Sequence, residues 1–160
     1  MVVVLLAATC SGPGANIAIT VDLQTGGSWV ASGRSVDEKL FCGEGSRRVV
    51  EYRDVDGTLL SEESGRAELA AAATDGRAAD LQLLVEMTCA DGSGVISLVE
   101  TPAAGTWVID HGNGAYSALS GSGTLVATHA VNTAAASGDQ EPDRALVMLN
   151  LEGNVGRSGG

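Results

Sequence analysis

The stretch from Thr106 to Thr128 reads Thr-Trp-Val-Ile-Asp-His-Gly-Asn-Gly-Ala-Tyr-Ser-Ala-Leu-Ser-Gly-Ser-Gly-Thr-Leu-Val-Ala-Thr. Apolar residues alternate before and after a glycine-rich centre, which is the pattern of two strands joined by a tight corner. There is no room in it for a long helix. Gly112 and Gly114 are expected to supply positive φ without steric cost. Tyr116 would plug the end of a sheet while its hydroxyl keeps a polar partner. Gly121 and Gly123 would permit close packing or a bend as the strand resumes.

Outward from this corner, strand signals recur along the chain. Ile17 to Leu23 alternates, Ser28 to Ser32 carries Trp29, and Arg47 to Val55 leads into the hairpin signal Asp56-Gly57. Leu81, Leu83, Val85, Met87 and Cys89 share one face of the next clear strand, with Gln82, Leu84, Glu86 and Thr88 on the other. Val95 to Thr101, Ser122 to Val131 and Ala145 to Val155 complete the set, and Asn132 to Asp143 reads as a loop. The segment Glu62 to Ala73 is rich in Glu and Ala, so propensity permits a helix. A hairpin across Asp75-Gly76 is the more economical reading, and it makes Arg66 to Ala73 a strand. About eight to ten strands with no long helix predict an all-β antiparallel barrel, in preference to an open sandwich. No Trp lies between Cys42 and Cys89, which argues against an immunoglobulin-type sandwich.

The composition agrees with a single domain. The chain has 160 residues, 22 of them glycine without a collagen-like period, and only 3% aromatics. Nine basic residues face twenty acidic ones, for a net charge of −11, so nucleic acid is an unfavourable partner. No stretch has the length of a spanning helix, so membrane insertion is not expected. Residues 1–14 contain the apolar run Val2 to Ala8 and read first as the remnant of a secretory or lipoprotein signal, with a first strand as the alternative. A lipid anchor on Cys10 is a weak candidate, because Ala7 and Thr9 depart from the usual cleavage box. Residues 15–156 then form the barrel and 157–160 a disordered tail. With Cys10 set aside, Cys42 and Cys89 make an even pair and suggest a disulfide, two buried thiols being the alternative. Secretion or attachment to the cell envelope follows from these two features.

Three segments carry a resemblance. They are Gly27-Ser28-Trp29-Val30-Ala31-Ser32-Gly33 with Leu40-Phe41-Cys42, then Cys89-Ala90-Asp91-Gly92-Ser93-Gly94, then Trp107 with the corner Gly112, Gly114, Tyr116, Leu119, Gly121 and Gly123. In this order they resemble uncharacterised secreted actinobacterial proteins similar to the allene-oxide-cyclase and dirigent-like barrels. Asn113 stands where Thr is more usual. The resemblance implies an eight-stranded barrel around an apolar cavity, and a superfamily whose members cyclise or orient hydrophobic intermediates. It carries over the corner as structure and no catalytic residue.

Chemistry is less legible. Asp110, His111 and His129 are present with many serines, but no Gly-x-Ser-x-Gly elbow occurs. Gly112-x-Gly114 is followed by Ser117 where a dinucleotide fingerprint needs a third glycine. Asp54-x-Asp56-Gly57 lacks the further carboxylates of a calcium loop and is explained by its hairpin. The sequence calls for no metal and no cofactor. The candidate pocket residues are Trp29, Tyr52, Glu86, Trp107 and His129, with Asn150 and Glu152 as further polar strand positions. Glu86 would be an acid or base if its face is the lumen, and merely solvated if that face is outside, which is the favoured reading. The expected function is binding of a small hydrophobic ligand. A cyclase or isomerase that acts by confinement and a structural module with a filled barrel are the alternatives.

Overall fold

The computed structural model describes residues 15–23, 27–33, 36, 41–131 and 144–157, with the side chains of 15, 128–131 and 144–147 left aside. Residues 1–14, 132–143 and 158–160, and with them Cys10, fall outside that description. The strands are β1 (Ala15–Leu23), β2 (Ser28–Ser32), β3 (Glu44–Asp54), β4 (Leu59–Leu60), β5 (Leu81–Cys89), β6 (Val95–Thr101), β7 (Thr106–Gly112), β8 (Leu119–Val131) and β9 (Arg144–Arg157). All pairings are antiparallel, in the order β2-β1-β9-β8-β7-β6-β5-β3-β4. A further pairing of β2 with β3 closes eight strands into a barrel and leaves β4 as an extra strand beside β3. β9 reaches Arg157, one residue into the stretch read as tail.

Alternation decides which side chains fill the barrel. On β1 Ile17, Ile19 and Val21 are buried, on β5 Leu81, Leu83, Val85, Met87 and Cys89, on β9 Leu149, Leu151 and Val155. Their neighbours along each strand are more exposed, so each strand has one inner and one outer face. The two tryptophans are accommodated in the same way. Trp29 lies opposite Gly45, and Trp107 opposite Gly123. A glycine opposite an indole leaves the wall thin enough for the ring to lie across it. Trp107 crosses β8 in this manner, and its Nε1 donates to the Glu152 carbonyl of β9 at 3.2 Å.

Residues Arg66 to Ala73 are helical, not a strand. Helix α1 spans Glu62–Asp75. Ser61 caps it by accepting the Ser64 amide at 3.1 Å, and Glu62 and Glu63 lie in the first turn where the helix dipole favours acids. At the other end Gly76 turns left-handed (φ 67°), and Gly76 and Arg77 donate to Ala73 and Ala72. Asp75-Gly76 is therefore a helix stop, not a hairpin. Leu69 is the only large apolar residue between Arg66 and Ala73, so the segment has no β alternation to hold it in a sheet. α1 packs on β3 and β9 through its small residues. Gly65 rests on the Tyr52 ring so closely that a Cβ there would overlap it. The Arg77 guanidinium bonds Glu68 at 2.8 Å and holds that carboxyl below its ordinary range.

The corner from Gly112 to Gly123 joins β7 to β8 through one 3-10 turn at Gly114–Tyr116. Gly114 has φ 59°, as its position requires. Gly112 does not have positive φ among the described glycines; it is needed because a Cβ would strike the Tyr116 backbone. The corner is fastened to the β5–β6 turn. Asn113 exchanges bonds with Val95, its amide to the Val95 carbonyl at 3.0 Å and its Oδ1 from the Val95 amide at 2.9 Å. Tyr116 is buried, with its hydroxyl 3.3 Å from Ser93 Oγ. Ser93 in turn bonds Asp91 through its hydroxyl and its amide, which holds the Asp91 carboxyl below its ordinary value.

The disulfide is present, Cys42 to Cys89 with Cα atoms 5.8 Å apart. It closes a loop of sequence separation 47, a restriction of the unfolded chain of about 4 kcal/mol in the entropy model. Replacement of both cysteines by alanine is expected to lower the unfolding free energy by about 2–4 kcal/mol in urea titration. A second expectation concerns pH. Because the folded Asp91 pKa is depressed, its stabilisation is present above the ordinary carboxylate range and lost as pH falls through the folded value. Protection factors of the Ser93 and Ala115 amides, relative to the intrinsic exchange rate at each pH, should therefore fall on acidification, and Asp91→Asn should remove that pH dependence.

Candidate functional site

Inside the barrel an ion pair spans β5, between the strands on its two sides. Arg47 comes from β3 and Glu100 from β6, with Nη2 2.6 Å from Oε2. Their side chains are 12% and 2% exposed. The placement follows from register. Arg47 lies opposite Met87, and Glu100 lies between Leu83 and Trp107, all on the inner face. Among the described residues, three polar atoms are buried here without a partner: Arg47 Nε, Glu100 Oε1 and Trp29 Nε1. Each such atom is a cost of about 1–3 kcal/mol when nothing replaces its water. Trp29 belongs to the same wall. It stands opposite Gly45, two residues before Arg47, with Phe41 packed on it at a ring separation of 5.7 Å.

The residues singled out from sequence separate into groups. Trp29 and Trp107 line the inside, each 1% exposed. Tyr52 is buried at the end that α1 covers. It also borders an outer cleft of about 490 Å³ with Leu59, Leu60 and Arg66. Glu86 is on the outside, paired with exposed Arg48 at 3.1 Å, because the inner position of that register is Met87. Its use as a lumen acid or base has no support in this geometry. His129 is on β8 opposite Leu146, and its side chain lies outside the described residues. Asn150 bonds Thr20 and Glu152 is exposed, both on the outer face of β9.

Sequence reasoning missed Glu100 and Arg47. The signal was present, since Ile96, Leu98 and Glu100 follow at alternate positions and share a face. A carboxylate at the end of such a series is usually assigned to solvent. Arg47 carries no such signal, because it stands beside Arg48 and a basic pair on a strand reads as solvated.

A serine–histidine–aspartate chain also exists. Ser97 Oγ is 3.2 Å from His111 Nε2, and His111 Nδ1 is 2.6 Å from Asp110 Oδ2. The bulge of β6 and β7 at Ser97–Leu98 brings Asp110 and His111 beside Ser97 on the outer side. The connectivity is that of a nucleophile relay, but Ser97 is 1% exposed. A hydroxyl so enclosed does not meet a substrate carbonyl, and the chain is read as a clasp that fixes the bulge. Among the described residues no group of three His, Cys, Asp or Glu is placed to hold a metal.

No family model, curated protein or solved structure matches the chain. The site therefore has to be read from its own chemistry.

Arg47→Met leaves Glu100 charged and unpaired inside the barrel, and is expected to cost about 3–5 kcal/mol in stability. The double variant Arg47→Met, Glu100→Leu should return to within about 1 kcal/mol of the parent or exceed it. Chemical denaturation of the three proteins checks the cycle.

Proposed function

We propose that the chain is an exported β-barrel that takes a small, mostly apolar molecule into its lumen at the Arg47–Glu100 pair. The observation that carries this reading is the pair itself, buried inside with unpartnered atoms around it. A barrel filled only for stability has no need of charge, because an apolar pair of like volume holds such a core as well or better. Charged groups enclosed by apolar walls are what binding and catalytic sites use to orient a ligand. The resemblance of the corner and the Trp29 segment to allene-oxide-cyclase and dirigent-like barrels supports the same reading. In that superfamily the lumen receives hydrophobic molecules. The Cys42–Cys89 disulfide supports an oxidising compartment outside the cytosol. No helix among the described residues is long and apolar enough to cross a membrane.

One observation favours the filled, purely structural barrel. Trp29, Trp107, Leu81, Met87, Ile96 and Leu98 are all fully buried. The two readings differ in what a neutral fluorophore such as N-phenylnaphthylamine does. A lumen that admits ligands gives saturable, stoichiometric enhancement. Ile109→Trp, on the half-buried inner face of β7, should weaken it at least about tenfold, a change of about 1.4 kcal/mol. Val126→Trp, on the exposed outer face of β8, should leave it unchanged. Equal loss in both variants, or no saturation in the parent, would favour the filled barrel.

A further inference from the structure

The unpartnered atoms in the lumen define the ligand more narrowly. Resting on the lumen-binding reading above, we propose that the barrel selects a neutral, mostly apolar molecule that carries a hydroxyl beside a carbonyl. The carbonyl oxygen accepts from Trp29 Nε1 and Arg47 Nε, and the hydroxyl donates to Glu100 Oε1.

The inventory sets this assignment. Two of the orphaned atoms are donors, an indole N–H and a guanidinium N–H, and the third is a carboxylate oxygen, which only accepts. A complementary head group must offer one good acceptor and one donor. The residues that carry them are neighbours in the sheet. Trp29 stands against Gly45, close enough that a Cβ there would come within 2.9 Å of its Cζ2, the ring atom one bond removed from the carbon that bears Nε1. Arg47 is the next inward residue of the same strand, and its other guanidinium nitrogen already grips Glu100 at 2.6 Å. Trp29 and Arg47 are thus diagonal neighbours on the inner faces of adjacent strands, and Glu100 is held to Arg47 by their ion pair.

Charge narrows the class further. The pair is neutral as a unit. A ligand carboxylate would face Glu100 inside a chain of net charge −11. A ligand ammonium would satisfy Glu100 and leave both donors without an acceptor. A plain alcohol or a plain ketone leaves one side of the site unpaired, and a buried unpaired group is what specificity in such a site penalises. Space comes from Met87, which lies opposite Arg47 and is fully buried. An unbranched thioether can withdraw without disturbing the strand. All three atoms are buried, and their unmet hydrogen bonds favour a state in which a ligand reaches them.

The test uses five small probes of nearly the same size: phenacyl alcohol, acetophenone, α-methylbenzyl alcohol, ethylbenzene and benzoate. Binding to the intact chain is followed by amide and indole N–H shifts in NMR titration. Phenacyl alcohol is expected to bind about tenfold more tightly than either the ketone or the alcohol, with the Trp29 indole signal moving and benzoate excluded. Trp29→Phe should reduce the preference for phenacyl alcohol over α-methylbenzyl alcohol by several-fold and leave ethylbenzene within about twofold. If Trp29→Phe does not fold, the probe series on the parent chain decides alone. Equal affinity for phenacyl alcohol and ethylbenzene at the lumen overturns the assignment while the apolar-lumen reading stands. Failure of every probe to shift a lumen signal overturns both.

Discussion

The barrel depends on how β2 meets β3. That seam is short, with Ser28, Trp29 and Val30 opposite Ser46, Gly45 and Glu44. By contrast β8 and β9 pair from Leu119–Arg157 to Val131–Arg144. A ladder of three pairs contributes little alone, and the sheet would otherwise end in two open edges. What holds the seam is packing and covalency. Trp29 covers Gly45 from the inside, Phe41 supports the indole, and Cys42 is bonded to Cys89, the residue opposite Gly45 on the other side of β3. The disulfide therefore ties the approach to the seam onto the strand behind it. Its stabilising effect is concentrated at the weakest link of the sheet, and this local role is additional to the restriction it places on the unfolded chain.

The parts of this architecture that were legible in sequence are those with a strict local cause. Alternation in Leu81 to Cys89 and Ile17 to Leu23 sets which side faces inward, and no tertiary information is needed for it. The corner was legible because Gly114 and Tyr116 each answer a local steric demand. Gly112 was assigned the right place for the wrong reason, since its demand comes from the Tyr116 backbone and is a contact, not a dihedral. Helix α1 was misread because its stop signal, Asp75-Gly76, is also a hairpin signal. Composition could have separated the two, because a run of alanines has little to pack on a sheet and much to gain as a helix. The same run explains how α1 can lie so close to Tyr52, since the fully buried residues of its contact face are Gly65 and Ala72, with Leu69 half-buried beside them.

The candidate site was not legible, for a different physical reason. Charged residues on alternating strands are ordinarily outer residues, and Arg48, Glu86 and Glu51 here obey that rule in half-exposed or exposed ion pairs. Such pairs contribute little, because water competes for both partners. Arg47 and Glu100 obey the period instead of the polarity. Only the assembled sheet shows that two inward charges on the strands flanking β5 come within one hydrogen bond of each other. Their pairing is set by the register of β3, β5 and β6 together, and no property of residues 44–54 or 95–101 taken separately contains it.

These two features meet in one place. Trp29 and Arg47 supply both orphaned donors, and they stand on the two strands of the seam. The indole that braces the closure is thus also the one whose N–H has no acceptor. A group that accepted that N–H from inside would bond to the seam at the same time as it satisfied the lumen. Occupancy and closure are then linked quantities, since whatever binds the closed barrel and not an opened one must stabilise the closed form in proportion. The opposite wall, β8 with β9, is long and continuous and offers no comparable coupling. The polar pair is placed where the fold has least margin, and that is where a ligand would have the largest effect on it.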